Sequence, residues 1–300
     1  MTGGTAGGGT AGGAVLEVVR AGALTTVQDL GRVGHAHLGV PRSGALDAPA
    51  HRLANRLVGN PAGAAGLETT LTGCAVRVIG GPVTAAVTGA PCPVRVDGRP
   101  APWGAALRVP AGAVLDVGAA RAGVRCCLAV AGGIAVEPVL GSRSTDLLSG
   151  LGPAPLTGGT RLPVGPAPGP VPWCGPAPAP GPPAGELVLP VVLGPRDDWF
   201  TPGALRTLAA RTYRVAAASN RVGLRTEGPA LERARQGELP SEGMVTGAVQ
   251  VPPDGRPVVF LADHPTTGGY PVIGVVPEAA LASAAQAVPG LAVRFVPLRR

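Results

Sequence analysis

Residues suited to acid–base chemistry are concentrated between positions 241 and 271. Asp263 follows an apolar run, where a carboxylate is unexpected unless it is paired or takes part in a reaction. The next residues, 265–271, contain hydroxyls, two adjacent glycines and Tyr270, which is one of only two tyrosines in the chain. A carboxylate base, a phenol and an NH-rich turn can together remove a proton and stabilise an oxyanion. A polar β-turn that merely caps Asp263 is the alternative interpretation.

A second group of polar residues lies between positions 25 and 47, before a predicted helix. Arginines near a helix N-terminus are typical of a site for a carboxylate or a phosphate. Simple helix capping, with a local Asp–Arg pair, explains the pattern equally well. The predicted binding residues in this segment are Gln28, Asp29, Arg32 and Ser43.

Two further turns combine arginine with exposed backbone NH groups. In the Gly141–Asp146 turn, Arg143 and the NH groups of a Gly-Ser sequence could hold an anion, although ordinary turn capping is as plausible. In the second turn, Arg221 and Arg225 are four residues apart, with Ser219 before them and Glu227 after them. A local ion-pair network is the simpler explanation of that spacing.

Several kinds of site are excluded or disfavoured. The five cysteines and four histidines show no CxxC or ligand spacing, so no metal site is predicted. No G-x-S-x-G sequence or Ser/His/Asp order indicates a hydrolase triad. All 25 basic residues are Arg, since the sequence contains no Lys. These 300 residues therefore have no Walker A lysine, no Schiff-base lysine and no site for attaching biotin.

The elements that must position these residues are mostly short strands. Apolar segments are separated by turn signals about every 8–12 residues, which is typical of a barrel or sandwich. We predict a mainly β fold with a few helices. The clearest predicted strands are 76–79, 83–88, 93–96, 113–117 and 124–130 in the first half, and 245–251, 257–262, 272–276 and 292–296 in the second.

Three helices interrupt the strands. The first is predicted to follow Ser43 as N-cap, because apolar residues in 46–58 recur with a 3.6-residue period before Gly59-Asn60-Pro61. The second is predicted over 201–210, with Thr as N-cap and Pro at its first position. The third is predicted over about 278–287.

Composition divides the chain into two lobes. Residues 1–13 are rich in Gly and are predicted to be disordered, and residues 163–185 are predicted to be a Pro-rich connector. The remaining segments, 14–162 and 186–300, are predicted to be two related β-barrel lobes. The sequence DGRP occurs once in each, between strand-like segments.

Charge and hydropathy limit the partners. The net charge is +7, but the arginines are dispersed among 18 acids and the aromatics are few, so nucleic-acid binding is not expected. No apolar run is long enough to span a membrane. We expect a cytoplasmic protein with reduced cysteines.

Nine segments, in order from about residue 15 to 296, carry a specific resemblance. They are TTVQDLGRVGHAHLGVPRSGALD, HRLANRLVGN, GLETTLTG, CLAVAGGI, VLGSRST, GPRDDWF, SNRVGLRTEGP, SEGMVTGAVQVPPDGRPVVFLAD and TTGGYPVIG. They resemble the biotin-dependent carboxyltransferase family, also called the allophanate hydrolase subunit 2 family. The resemblance implies that the two lobes are cyclophilin-like β-barrels.

The resemblance is strongest to the C subunit of ATP-dependent 5-oxoprolinase. It implies hydrolysis of 5-oxo-L-proline to L-glutamate, with a smaller cyclophilin-like B subunit, an A subunit, and ATP with Mg²⁺ used by the complex. Under this interpretation Asp263 is the base or a metal ligand, and Tyr270 and Gln250 orient the substrate. The cations for phosphate or carboxylate are Arg32, Arg221 and Arg225, with the NH groups of Gly268 and Gly269 facing the oxyanion. Ser241, Thr267, Ser219 and Arg143 complete the predicted substrate-binding set.

Two alternatives stay open. The chain could be the carboxyltransferase component of a urea or amide carboxylase, receiving the carboxyl group from biotin on another chain. It could instead be a non-catalytic regulator that binds a kinase inhibitor resembling the B subunit.

Overall fold

A computed structural model describes residues 13–169, 181–237 and 239–298. Most of the Gly-rich start predicted to be disordered, residues 1–12, lies outside the described residues. So does the middle of the predicted connector, residues 170–180. We call residues 13–169 the N-lobe and the described residues from 181 to 298 the C-lobe.

The N-lobe consists of two packed antiparallel sheets, one α-helix and a short 3-10 helix at Ala36–Leu38. Its elements are β1 Val15–Arg20, β2 Leu24–Gln28, α1 Ala48–Leu57, β3 Gly66–Thr70, β4 Cys74–Ile79, β5 Val83–Gly89, β6 Val94–Val96, β7 Arg99–Ala101, β8 Ala106–Val109, β9 Val114–Val117, β10 Arg125–Val130 and β11 Arg161–Pro163. One sheet has the order β11-β1-β4-β9-β6-β7 and the other has the order β2-β3-β10-β5-β8. Alternate side chains of both sheets, such as Leu16 and Leu67, meet in one core.

Strand β10 is buried on both faces, which explains the unbroken apolar run after Arg125 at its start. Cys126 and Leu128 point into the core between the sheets. Cys127 and Ala129 point the other way and pack against α1. Because side chains alternate along a strand, the two adjacent cysteines lie on opposite faces.

The first helix begins later than predicted. It starts at Ala48, and the N-cap is Asp47, whose carboxylate accepts the Ala50 N–H at 3.0 Å. Ser43 lies upstream with φ 54°, a left-handed conformation that is rare for a residue with a side chain. The prediction of Ser43 as N-cap was therefore wrong, and its hydroxyl is directed elsewhere.

The C-lobe is a closed barrel. Its elements are β12 Glu186–Leu193, α2 Pro202–Ala210, β13 Tyr213–Val215, β14 Gly223–Glu227, β15 Glu242–Gly243, β16 Ala248–Gln250, β17 Val258–Phe260, β18 Thr267–Gly268, β19 Val272–Val275, α3 Glu278–Ala285 and β20 Ala292–Leu298. The barrel order is β12-β19-β16-β17-β14-β13-β20, and the parallel pairing of β12 with β20 closes it. Strands β15 and β18 form a separate two-stranded sheet. Closure leaves the barrel strands without an exposed edge.

Alternation along β12 fills the barrel interior. Leu187, Leu189 and Val191 are buried among the other inward-facing residues, including Tyr213 and Phe295, whose rings meet edge-on at 5.5 Å. Helix α2 has the predicted limits, with its Thr N-cap accepting the N–H three residues on. The mainly β architecture with few helices is confirmed.

The segment between the lobes begins as part of the N-lobe. Pro163 ends the edge strand β11, where a proline without an N–H is tolerated. The chain then pairs Val164 with Ile134. Strand β12 begins at Glu186, so the described part of the C-lobe sheet starts at the end of the predicted connector.

Candidate functional site

A buried arginine connects the two lobes. Arg221 lies in the loop before β14, and its side chain is 1% exposed. Its Nε and Nη2 donate to Asp263 at 2.8 and 2.9 Å, and its Nη1 pairs with Glu68 on strand β3 of the N-lobe. Nη2 also donates to the Gly44 carbonyl oxygen at 2.7 Å. Burial alone would lower the pKa of Arg221, but the Glu68 and Asp263 carboxylates outweigh it and raise that pKa, so the side chain stays cationic.

The cluster is electrically balanced. Arg125 on β10 lies 3.6 Å from Glu68 and is also buried, so two arginines face two carboxylates. Burial lowers the pKa of Arg125. Charges at this depth are tolerated only when they are paired and hydrogen-bonded. We call Glu68, Arg125, Arg221 and Asp263 the interlobe ion cluster.

Asp263 has no oxygen free for proton transfer in this geometry. Its side chain is fully buried. Besides the bonds from Arg221, Oδ1 accepts the Ser43 hydroxyl at 2.7 Å and Oδ2 accepts the Leu147 N–H at 3.1 Å. Each oxygen therefore accepts two hydrogen bonds. The geometry gives this carboxylate the task of joining the lobes, which differs from the predicted role as a free base.

The loop carrying Ser43 is held by close backbone packing. The Ser43 N–H donates to the Ala262 carbonyl oxygen at 3.1 Å, across the lobe interface. A Cβ at Gly31 would lie 2.4 Å from the Arg42 carbonyl oxygen, and one at Gly44 would lie 2.8 Å from the Gly31 nitrogen. Both glycines have positive φ, so only glycine lets these two loops approach each other here.

The turn around Arg143, which was predicted to hold an anion, binds the carboxylate of Asp29 from the same chain. The Asp29 carboxylate accepts hydrogen bonds from the Ser142 and Ser144 hydroxyls and from the Arg143 and Gly31 N–H groups, at 2.6 to 2.7 Å. Burial tends to raise the pKa of Asp29, but these four hydrogen bonds together lower it. The NH-rich turn is therefore already occupied by Asp29.

Arg32 is a buried cation without a carboxylate partner among the described residues. It is 2% exposed and donates to the backbone oxygens of Val139 and Ser144. Its Nη1 has no partner within the described chain, and neither does Oε1 of the neighbouring Gln28. Of the predicted binding residues, Gln28, Asp29, Arg32, Ser43, Arg143 and Arg221 therefore lie close together near the lobe interface.

Gln250 and Tyr270 lie away from Asp263, at the other end of the β16–β17 pair. Gln250 is paired with Val258 at the start of β17, whereas Asp263 follows the end of that strand. Gln250 Nε2 donates to the Tyr270 carbonyl oxygen at 3.3 Å, and the Tyr270 side chain is 44% exposed. The structure does not bring the predicted base and phenol together.

The predicted residues on either side of Gly268 lie near Gln250 and not near Asp263. Thr267 and Gly268 form strand β18, opposite the two residues of β15. A Cβ at Gly268 would lie 2.7 Å from Gln250 Nε2, and one at Gly269 would lie 3.9 Å from Ser241 Oγ. Gly268 therefore lies against Gln250, and Gly269 lies near Ser241.

Ser219 and Arg225 form a local turn. The Ser219 hydroxyl accepts the Arg225 N–H at 3.0 Å, and the Arg225 side chain faces outward from β14. The predicted local ion-pair network around Arg221 is absent from the described residues, since Arg221 pairs with Glu68 and Asp263.

Two cavities between the lobes flank the ion cluster. The larger has a volume of about 430 Å³ and is lined by residues of the Ser43 loop, α1, α3 and the loop before β16. The smaller has a volume of about 240 Å³, and its lining includes Arg125, Ser219 and Arg221. We call the first the larger interlobe cavity.

Residues 38–297 match the family model described as the carboxyltransferase domain, subdomain A and B. The chain belongs to this carboxyltransferase family. It is 39% identical over 289 residues to the C subunit of 5-oxoprolinase from Escherichia coli (strain K12), covering 94% of this chain and 91% of that protein. It is 35% identical over 314 residues to the urea amidolyase of Lachancea kluyveri, covering 94% of this chain and 17% of that protein.

A solved structure gives the same family relationship. The crystal structure of the Kluyveromyces lactis urea amidolyase matches with a TM-score of 0.88 at 30% identity, covering 97% of this chain and 19% of that chain. The match therefore covers nearly all of the E. coli 5-oxoprolinase C subunit and less than a fifth of each of these urea amidolyases. The family resemblance seen in the nine segments is confirmed.

Sequence reasoning missed two residues that hold the lobes of this carboxyltransferase domain together. Glu68 and Gln286 each form hydrogen bonds across the lobe interface, yet neither was among the predicted site residues. Glu68 did carry a signal, because it is the only charged residue of β3, next to Leu67 in an otherwise uncharged segment. Gln286 follows α3 and carried none.

The described ranges contain neither a preformed cluster of metal ligands nor a membrane-spanning helix. Within residues 13–169, 181–237 and 239–298, no group of three or more His, Cys, Asp or Glu residues is placed to hold a metal ion. None of the helices in those ranges is long and apolar enough to cross a membrane.

Proposed function

We propose that this chain is the C subunit of an ATP-dependent 5-oxoprolinase, and that it acts with the A and B subunits to hydrolyse 5-oxo-L-proline to L-glutamate. The observation that carries the proposal is its identity to the E. coli C subunit over nearly the full length of both chains. The C subunit from Haemophilus influenzae is 30% identical, and the match covers 90% of its length.

The described residues are better suited to binding and positioning a substrate than to binding ATP. Within the described ranges, no group of three or more His, Cys, Asp or Glu residues is placed to hold a metal ion, so an Mg²⁺ bound to these residues would take most of its ligands from ATP phosphates and water. The interlobe arginine Arg221 is already neutralised by Glu68 and Asp263. We therefore propose that ATP and Mg²⁺ are bound mainly by partner subunits, and we derive no step through them on this chain.

Within the complex two groups of residues are proposed to serve the substrate, one by contact and one by positioning. Tyr270 and Gln250, with the NH groups of Gly268 and Gly269 beside them, form one candidate site that would orient it. The interlobe ion cluster is proposed to fix the lobes so that residues from both can contact one ligand. Because a site holds its geometry only when its supporting residues are locked, this cluster acts by positioning.

Reconstitution tests this function. The chain is combined with the A and B subunits, ATP and 5-oxo-L-proline, and glutamate release and phosphate release are measured, with each component omitted in turn. We expect glutamate only when all three proteins and ATP are present. Absence of glutamate from the full mixture would refute the proposal.

A matched pair of variants tests the role of Tyr270. Tyr270→Phe removes an exposed phenol, and we expect roughly a 3- to 10-fold fall in kcat/KM from the loss of one substrate hydrogen bond. Tyr213→Phe is the control, because the other tyrosine is buried in the barrel interior and its hydroxyl has no partner among the described residues. Equal activity of the two variants would remove Tyr270 from the site.

A second candidate is favoured by the similarity to urea amidolyases. In this function the chain transfers a carboxyl group from biotin to urea or a similar amide. Because the 300 residues contain no Lys, the biotin must be attached outside them. A streptavidin blot of the purified native complex, with bicarbonate incorporation into urea, distinguishes this activity from 5-oxoprolinase.

A further inference from the structure

The larger interlobe cavity combines apolar, hydroxyl and charged groups on one concave surface. Its volume of about 430 Å³ is within the roughly 300–1,000 Å³ range of small-molecule sites. Apolar surface comes from leucines of both lobes, and Thr246 contributes a hydroxyl. The charged side chains of its lining are Arg42, Arg52 and Glu278.

The charged groups of the cavity favour one negative charge in a ligand. Arg42 is paired with Glu278 at 3.4 Å, and both side chains are well exposed. Arg52 on α1 is exposed and forms no ion pair with any of the described residues. Two arginines and one glutamate leave a single positive charge, and Arg52 is the unpaired group. Arginine binds carboxylates through two parallel hydrogen bonds.

The orientation of the Thr246 hydroxyl is fixed by a histidine behind it. His264 Nδ1 lies 2.8 Å from the Pro265 carbonyl oxygen, which can only accept, so Nδ1 carries the proton. Nε2 is then an acceptor, and it lies 3.1 Å from the Thr246 hydroxyl oxygen. The hydroxyl proton is therefore directed to His264. The lone pairs of the hydroxyl oxygen are left to accept a hydrogen bond from the cavity.

We propose that the larger interlobe cavity binds a small cyclic amide that carries a carboxylate. Arg52 holds the carboxylate, and Thr246 accepts the N–H of the ring amide. This inference rests on the proposed function, because 5-oxo-L-proline has both groups. It places that substrate beside the Ser43 loop, as the alternative to the site at Tyr270 and Gln250, because neither of those residues lines the cavity. Thr246 and Arg52 are binding residues, and His264 is a positioning residue.

Equilibrium binding tests the proposal. The complex with the A and B subunits is titrated with 5-oxo-L-proline by calorimetry in the absence of ATP, so that no turnover occurs. We expect Arg52→Gln and Thr246→Val each to weaken binding by about 10- to 100-fold, the loss typical of a hydrogen bond to a charged group or of an unpaired donor. The uncharged lactam 2-pyrrolidinone should bind weakly to the wild type and be insensitive to Arg52→Gln.

Two control variants separate binding from folding. Arg56→Gln makes the same change one turn later on α1, at an exposed residue that is not part of the cavity lining. Thr246→Ser keeps the hydroxyl next to His264. We expect both to bind within about twofold of the wild type. Thermal unfolding of every variant shows whether a loss of binding reflects a loss of structure.

The possible outcomes test the cavity proposal and the proposed reaction separately. Wild-type turnover with binding that depends on Arg52 and Thr246 supports both proposals. Wild-type turnover with unchanged binding by Arg52→Gln and Thr246→Val overturns the cavity proposal alone. No turnover, with binding that still depends on these residues, overturns the reaction and supports the cavity. No turnover and no binding overturn both.

Discussion

Replacing Asp263 by Asn is expected to destabilise the fold strongly. The side chain is fully buried, and its two oxygens accept two hydrogen bonds from Arg221, one from Ser43 and one from the Leu147 N–H. In the Asp263→Asn variant one of these oxygens is replaced by an NH₂ group, which faces donors. The interlobe ion cluster changes from neutral to a single positive charge. Breaking a buried ion pair in this way costs about 3–5 kcal/mol.

Thermal and urea unfolding, followed by circular dichroism, measure this cost. For a chain of this size we expect the melting temperature of Asp263→Asn to fall by roughly 6–20 °C. Asp116→Asn is the matched control, because Asp116 pairs with Arg20 at 2.7 Å but both side chains are more than a third exposed. An exposed ion pair contributes about 0–1 kcal/mol, so the control should unfold close to the wild type.

The comparison with activity decides between two roles of Asp263. If the carboxylate joins the lobes, activity in the reconstituted complex should decline together with the folded fraction. If Asp263→Asn unfolds at the same urea concentration as Asp116→Asn, the reasoning from burial is refuted. A stable but inactive Asp263→Asn would restore the role of proton acceptor.

Three further perturbations have definite expected results. Burial lowers the pKa of His264 below its usual value of about 6.5, so the unfolded chain takes up the proton first as the pH falls. The free energy of unfolding should therefore decrease below about pH 6.5, and it should decrease less steeply in His264→Gln. Urea unfolding at several pH values measures this difference. Burial raises the pKa of Cys74 to about 12, so its thiol should resist iodoacetamide at about pH 8 until urea is added, as measured by peptide mass spectrometry. Gln286 accepts the Val124 and Arg125 N–H groups and donates to Asp47, so Gln286→Ala should lose about 2–4 kcal/mol of stability and speed hydrogen exchange at those two amides.

Each of these expectations has a clear contrary result. A pH dependence identical in wild type and His264→Gln would mean that the imidazole binds protons equally well in the folded and unfolded chains. Alkylation of Cys74 in the native chain at the rate of a free thiol would mean that the N-lobe core opens readily. Unchanged exchange at Val124 and Arg125 in Gln286→Ala would mean that the lobes do not depend on this side chain.

Local sequence was sufficient for most of the secondary structure. Apolar segments between turn residues predicted strands such as β5 and β9 within a residue or two, because buried strands are apolar and the turns that end them have local signals. Thr201 and Pro202 determined the start of α2 through the cap and the first turn, which are local interactions. The start of α1 was misplaced because two cap residues, Ser43 and Asp47, precede it. Asp47 is the cap, with Pro49 in the first turn after it, whereas the Ser43 hydroxyl is bonded to Asp263 across the lobe interface.

The candidate site could be predicted only in part. Residue types indicated that Asp263, Arg221 and Ser43 were unusual, and the structure places them in contact. Asp263 and Tyr270 were expected to share one site, but they lie at opposite ends of the β16–β17 pair. The six residues between them are enough for the chain to cross from one end to the other. Closeness in sequence therefore did not imply closeness in space.

The sequence by itself determined the fold class, the family and the absence of any lysine chemistry, since these depend on periodicity, motif order and composition. Tertiary structure alone decided which charges neutralise each other. Each lobe contributes one arginine and one carboxylate to the interlobe ion cluster, and the contact between Arg221 and Glu68, which are more than 150 residues apart, links the two pairs. Buried charges need partners within hydrogen-bond distance, and these four groups become buried together where the lobes pack. No local sequence pattern records that contact.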